Sequence, residues 1–525
     1  MIHYEKIRTI RDLLEQRAEH NPSKVAIHFE MEGPSFTYQE LNLKVNQVAN
    51  VFREMGINKN SHVAVMLPNC PEFPLTWLAL AKIGAIMIPV NYRYKSQDME
   101  YILNDSEAIL LVTHAEVTPI LKNVIPKCSK LKQIITVGEG GEDFCMGFAE
   151  LIEKAPVEIQ SARLRSDDVV NIQYTSGTTG FPKGCILTHE YWLILGRTAF
   201  EGISEEDIFL SAQPFYYMDP QWHLIMTLTK GCTMVLAERY SPSRYITLAA
   251  AYGATCSLAP RAILIYKQPE SNIDNAHNLK RVNIYGFPTH LHRAFEKRFN
   301  LTAREAYGMT EIGSCMRMPM ADSHMIGSGS VGKLVPNREV RIVDKNFVDV
   351  PVGMVGELLV KGPGLFKGYY RKPEETNEAF HGEWFRTGDL FRKDLNGYFY
   401  IVGRIRDSVR RHGENISASE VEDVIKSHPK VFDAAVVPVP DELSGEEVKA
   451  YIIPSPGLNQ NDIPPEELIN FCLDRLAKFK VPRFIEYRKT MPRTPSQRVE
   501  KYKLLAEKRN LVSGCYDVRE KRWYE

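Results

Sequence analysis

Residues Tyr174 to Gly184 read Tyr-Thr-Ser-Gly-Thr-Thr-Gly-Phe-Pro-Lys-Gly. Glycines let a backbone bend and come close to a ligand. The Ser and Thr hydroxyls and bare backbone amides donate hydrogen bonds to anionic oxygens, and one fixed lysine adds a full positive charge. Together they suit a polyphosphate. The P-loop of kinases and ATPases is the obvious rival, but it needs Gly-Lys followed at once by Ser or Thr. Here Pro182 precedes Lys183, and Gly184 and Cys185 follow it, so that pattern fails. A plain surface turn explains the glycines and leaves the ordered hydroxyls and the lysine unexplained.

The run Thr175-Ser176-Gly177-Thr178-Thr179-Gly180, continued by Pro182-Lys183-Gly184, resembles the signature loop of the adenylate-forming superfamily. Acyl-CoA synthetases, peptide-synthetase adenylation domains and firefly luciferases make up that group. Four later segments match the same family in order. In Tyr307-Gly308-Met309-Thr310-Glu311 the resemblance puts the tyrosine ring on adenine, Thr310 on the α-phosphate and Glu311 on Mg²⁺. Magnesium wants hard oxygen ligands, usually one or two carboxylates plus phosphate oxygens. In Thr387-Gly388-Asp389 the carboxylate would take both ribose hydroxyls, as an acceptor-only group suits a diol.

The segment Gly403 to Gly413 resembles the family's interdomain crossover. Arg404 would touch ribose or phosphate, the hinge falls on Arg406, and Arg410 and Gly413 match positions near CoA. Arg406, Arg410 and Arg411 can also be read as a solvated basic face. The last segment, Met491 to Lys501, departs from the family. Gln497 and Arg498 stand where relatives have Gly-Lys, and Lys501 follows one helical turn later. Arginine is planar and forked, so the exchange is not conservative. Either Arg498 does the work, or Lys501 reaches in, or adenylation is slow; Lys501 is the reading preferred from the sequence. Gly286 sits where the family has a Gly-rich adenine loop, and Tyr217 stands in place of a gating histidine.

The resemblance implies an ATP-dependent carboxylic acid–CoA ligase using ATP, Mg²⁺ and coenzyme A. The acid's carboxylate attacks the α-phosphorus, pyrophosphate leaves, and the acyl-adenylate passes to the CoA thiol. Two alternatives stay open: transfer to an amine or carrier protein, and a nucleotide-binding pseudoenzyme without the usual lysine. Leu80 to Asn91 and the Asp219-x-Gln221 spacing resemble crotonobetaine/carnitine-CoA ligases in particular. Tyr216, Tyr217 and Trp222 around Asp219 would make an aromatic box with a counter-ion for a trimethylammonium group; the other reading is an apolar core.

These groups need a frame. Val169 to Tyr174 predicts a strand entering the loop. His62 to Leu67, Ala85 to Val90, Ala108 to Val112 and Gln133 to Val137 predict further strands, and Phe73 to Ile83 a helix. Such alternation predicts a layered α/β architecture. After the crossover, Ser417 and Glu420 form a capping-box pattern, and a strand follows at Ala434 to Val439. The expected organisation is a large α/β domain over residues 1–404 and a small mobile α+β domain over 405–525, with a hinge near 404–407.

The 525 residues allow such a pair of domains. Lys plus Arg equals Asp plus Glu at 65 each, which argues against a nucleic-acid partner. The apolar stretch from Phe73 to Val90 is broken by Lys82, Gly84 and Pro89, which argues against a membrane span. The amino terminus lacks a signal peptide's apolar core. The cysteines form no C-x-x-C pair, which fits a reducing cytoplasm. The oligomeric state, a homodimer among the options, is not legible.

Overall fold

The strand expected before the glycine loop runs over Val169–Thr175. It turns back as an antiparallel partner at Lys183–Thr188, with Thr175 opposite Lys183. In this computed structural model the described residues are 4–30, 33–160, 162–175, 182–198, 200–405, 408–411, 414–441, 444–476, 478–494 and 497–524. They fall into two compact units. The first takes in 4–175, 182–339 and 361–385, and the second 340–360 and 386–524. The sequence-based boundary near Arg404 lies inside the second unit.

Within the first unit the loop hairpin closes one edge of a sheet. Beside it come the parallel strands Ile86–Pro89, His62–Met66, Leu110–His114 and Gln133–Val137. The third of these begins two residues later than expected. Ala108 instead closes the preceding helix, its N–H donating to the Leu103 carbonyl at 3.2 Å. The apolar stretch breaks as its composition requires. Helix Glu72–Ile83 has 12 residues and stops at Gly84, which takes φ 79 in the left-handed region. That is too short for a ~30 Å hydrocarbon layer. Among the described residues no helix is long and apolar enough to cross a membrane. Lys82 is buried, its ammonium held by Asn42 and Asn46 at 2.6 Å and by Glu15 at 3.0 Å. The cysteines are all unpaired.

A second sheet in this unit runs Ser330–Leu334, Gly313–Arg317, Thr302–Met309, Arg281–Ile284, Cys256–Leu258, Ile208–Ser211, Thr233–Leu236, Val25–Phe29 and Ser35–Thr37. Its middle strands are parallel. Ligands of such sheets collect beyond the carboxyl ends of the strands. Three candidate segments of this unit sit there: the 213–219 turn after Ser211, Tyr285-Gly286 after Ile284, and Thr310-Glu311 after Met309.

The second unit carries the hairpin that pairs Asp389–Lys393 with Phe399–Arg404. It also holds a sheet built on the long pair Val431–Asp441 and Gly445–Pro454. Ser417 caps helix Ala418–Lys426, accepting the Glu420 N–H at 3.2 Å. Only that half of the expected capping box forms. The Glu420 carboxylate is taken instead by the Lys480 ammonium at 2.6 and 2.8 Å.

His189, fully buried at the start of helix His189–Thr198, accepts the Ile10 N–H at 3.2 Å and so pins the first helix. Burial holds it neutral, with its pKa lowered from 6.5 to about 4. Between these values the unfolded chain binds a proton that the native chain refuses. Stability is therefore lost as pH falls from 6.5 towards 4, by on the order of 3 kcal/mol. His189→Asn keeps an acceptor for Ile10 and is expected to flatten that acid slope in urea titrations at pH 7 and 4.5. Equal slopes in native and variant would refute this account.

Candidate active site

Lys183 opens its strand, and the chain at 367–370 is laid along the same strand. Lys367 N–H donates to Ile186 O at 2.9 Å, Ile186 N–H to Gly368 O at 3.0 Å, and Tyr370 N–H to Gly184 O at 2.7 Å. Gly184 has no room for a Cβ, which would meet Ile172 Cγ2 at 2.5 Å. This alignment brings Tyr369 beneath the lysine, with the ammonium 5.1 Å from the ring centroid. The Tyr369 hydroxyl donates to Glu311 Oε1 at 3.0 Å. Glu311 is 7% exposed, and its carbonyl is anchored by the Phe366 N–H at 2.9 Å. A cation, an aromatic face and a buried carboxylate from three distant parts of the chain thus meet beside the loop strand. Cys185 feels both charges; burial first, with Glu311 adding, pushes its thiol well above the ordinary range.

Helix Ser96–Asp105 grips both stems of the glycine loop. Asp105 accepts the Tyr174 hydroxyl at 2.5 Å, and the Tyr101 hydroxyl donates to Pro182 O at 3.0 Å. Thr175 Oγ1 is 3.5 Å from Lys183 O across the hairpin. Ser176, Gly177, Thr178, Thr179 and Gly180 lie outside the described residues.

Thr310 is held from both ends, its carbonyl by the Tyr191 hydroxyl at 2.9 Å and its Oγ1 3.4 Å from Met218 Sδ. Tyr307 is buried. At Gly308 a Cβ would stand 2.4 Å from Gly313 O, so the hairpin closes only on glycine. Gly286 takes φ 58, and its N–H and that of Phe287 both donate to the Glu305 carboxylate at 3.0 and 2.9 Å.

In the 214–222 segment, Tyr216 and Tyr217 pair with ring centroids 4.7 Å apart. Asp219 accepts the Trp222 indole N–H at 3.0 Å. Trp222 is 2% exposed and packs on Phe209 and His223, so its face belongs to the core and only its N–H serves Asp219.

In the second unit Asp389 is 4% exposed and accepts Arg404 Nε–H at 2.8 Å, directly across the hairpin. Arg406 and Gly413 lie outside the described residues, as does the side chain of Arg410. Arg411 does not belong to a solvated face. It is buried, 2.8 Å from Glu447 and donating to the carbonyls of Phe479 and Val481 at 2.8 and 3.2 Å. Near the carboxy terminus Gln497 takes φ 67, the left-handed backbone that glycine adopts more readily. Arg498 follows, bonded through its backbone to Thr494. Lys501 is committed elsewhere within the unit, in an ion pair with Glu422 at 2.7 Å.

Sequence reading passed over Tyr369, Tyr191, Glu305 and the Tyr101/Asp105 brace. Only the Gly368-Tyr369-Tyr370 run offered a signal, and a core aromatic pair reads the same way.

The profile of the AMP-binding enzyme family matches residues 14–370. That of the AMP-binding enzyme C-terminal domain matches 420–498. The crotonobetaine/carnitine–CoA ligase of Proteus mirabilis is 35% identical over 512 residues, covering 94% of this chain and 98% of that protein. Its namesake from Salmonella paratyphi A is 34% identical over 524 residues, with 94% and 98% covered. Among solved structures, ATP-bound MatB from Rhodopseudomonas palustris aligns with a TM-score of 0.84 at 26% identity, over 95% of this chain and 99% of that one.

Proposed function

This chain belongs to the AMP-binding enzyme family, whose members here are AMP-forming acyl-CoA ligases with ATP and CoA as substrates, and on that premise we propose that it activates a small carboxylic acid, with a carnitine-like betaine the first to try. The observation that carries this reading is the meeting of Lys183, Tyr369 and Glu311 beside the glycine-loop strand. Acid and ATP are both anions, so their approach needs charge neutralised and geometry held. Lys183 supplies a cation, and Thr175 and the loop hydroxyls supply donors. Tyr307 and the Glu305-clamped Gly286 loop would flank the base, and Asp389 is the residue this reading assigns to the ribose.

A magnesium ion fits the donor set. Glu311 offers one buried carboxylate. Mg²⁺ takes one or two protein carboxylates and completes its shell with phosphate oxygens and water. Bound there, it would screen the triphosphate charge.

The betaine is supported by the names of the relatives. The Tyr216–Tyr217 pair supports it too, being two aromatic faces in the segment that carries Asp219. Arg498 takes the place of the usual lysine in this reading, since Lys501 is engaged by Glu422. A pivot near 404–407, centred on Arg406, would exchange the Arg498 turn for the Arg410–Gly413 segment between the two steps. A cytoplasmic location belongs to the same reading.

The test is a panel of acids with ATP and magnesium, with and without CoA, thioesters being read by mass. Acid-dependent ATP–pyrophosphate exchange and a CoA-dependent thioester are expected, with the trimethylammonium acid preferred to butyrate. Exchange without any thioester would move the acyl group to another acceptor. No exchange with any acid would overturn the reading.

A further inference from the structure

Three amide side chains take no part in the chemistry above, yet they are among the most buried polar groups of the first unit. Asn171 and Gln221 are 0% exposed and Gln173 is 3%. Asn171 and Gln173 alternate on the strand that enters the glycine loop, so both project from the same face. Both reach the turn that carries Tyr216, Tyr217 and Asp219. Asn171 Nδ2 donates to Gln221 Oε1 at 3.0 Å, and Gln221 Nε2 donates to Phe215 O at 3.0 Å. Gln173 Nε2 donates to Tyr216 O at 2.9 Å. Asn171 is itself fixed, its oxygen accepting the indole N–H groups of Trp77 and Trp192 at 2.8 and 3.1 Å. From a third direction Asn69 Oδ1 accepts the Phe215 N–H at 2.6 Å. Successive backbone groups of one turn are thus bound by side-chain amides from other elements. Asn171 and Gln221 are matched to each other, while Gln173 gives its N–H to the turn and its Oε1 has no partner among the described residues. Neutral amides bound in this way fix a geometry without adding charge.

We propose that Gln173 and the Asn171–Gln221 pair are positioning residues that hold the acid-binding turn in register with the nucleotide-loop strand, and so determine acid specificity. The inference rests on the ligase reading and deepens it. The acid is lined up with the α-phosphate by a rigid frame that joins the two segments directly, which suits a narrow choice of acid over a broad one.

Gln173→Met keeps the side chain's length and removes its N–H. Gln221→Met breaks the same frame at its other anchor. Each is measured by ATP–pyrophosphate exchange against the native enzyme, with AMP affinity by calorimetry as the check on folding. The expected result is an acid KM raised about tenfold, an ATP KM within about twofold of native, and weakened discrimination between the best acid and its homologue one methylene longer. Gln173→Asn, which keeps the amide but shortens it, takes the place of the methionine variant if that chain fails to fold; it is expected to show the same split. Acid KM unchanged in both positions, or acid and ATP KM rising together, overturns the proposal while leaving the ligase reading intact. A native enzyme that exchanges with no acid overturns both.

Discussion

Glu311→Gln is expected to lower acid-dependent ATP–pyrophosphate exchange about 100- to 1,000-fold, the range for losing one electrostatic contact to a transition state, and to leave the fold unchanged. Glutamine still accepts the Tyr369 hydroxyl that now lies 3.0 Å from Glu311 Oε1. The Glu311 carbonyl keeps the Phe366 N–H. What disappears is one negative charge at a buried position. Were Glu311 only a prop for Tyr369, glutamine would serve as well, and exchange would stay within about threefold of native. If instead the carboxylate holds magnesium, the loss should shrink as magnesium is raised, and ATP binding measured without metal should not weaken. Lys183 sharpens the contrast. Its ammonium shares the Tyr369 ring with that carboxylate, so removing the carboxylate leaves a locally more positive site, which favours the anionic nucleotide. A variant with lost turnover and retained metal-free ATP affinity therefore marks a metal ligand, and near-native turnover marks a prop for Tyr369.

Local patterns in the chain reveal the elements, and long-range contacts decide what the elements hold. The glycine loop could be read because its donors are consecutive, and the breaks at Lys82 and Gly84 because composition changes within a few residues. Tyr369 could not. Its partner Glu311 is 58 residues away, and neither neighbourhood records the other. The same holds for Gln173, whose carbonyl partner is 43 residues on, and for the Tyr101 hydroxyl, 81 residues from Pro182. Charge patterns are incomplete for a related reason. Arg406, Arg410 and Arg411 read as one basic run, yet Arg411 faces inward because Glu447 is buried opposite it. In the Ser417–Glu420 box the acid had a second suitor, Lys480, which local spacing cannot show. Residue types named the chemistry at Trp222, but burial decided that its ring packs inward and only the N–H reaches Asp219.

The inward turn of Arg411 leads to the largest stability effect expected of a single substitution. Glu447, on strand Gly445–Pro454, is 0% exposed. Arg411 Nε lies 2.8 Å from its Oε2, close enough for an ion pair though out of line for a hydrogen bond. Arg519 Nη2 and the Ser444 hydroxyl meet Oε1 at 2.7 and 3.1 Å. Arg483 stands 3.7 Å away and also binds Asp441 and Asp517. One carboxylate therefore compensates arginines that converge on a buried point. Removing one partner of a buried pair costs about 3–5 kcal/mol, and here the stranded charge is Arg411, since Arg519 is half exposed and Arg483 keeps Asp441 and Asp517. Glu447→Ala should show that loss in the second unit, read as faster hydrogen exchange in Ser408–Arg411 and Gly445–Pro454, with little change around Val169–Thr175. Pairing it with Arg411→Met should recover part of the loss, since the stranded cation goes as well; two contacting charges rarely add independently. Exchange in those strands that matches the native chain, or a double variant whose loss is the plain sum of the singles, would show that Arg411 is held by the Phe479 and Val481 carbonyls and not by the acid. In that case the first strand after the crossover would be fastened to its unit by the two carbonyl bonds of Arg411, its strand pairing and the buried Val409.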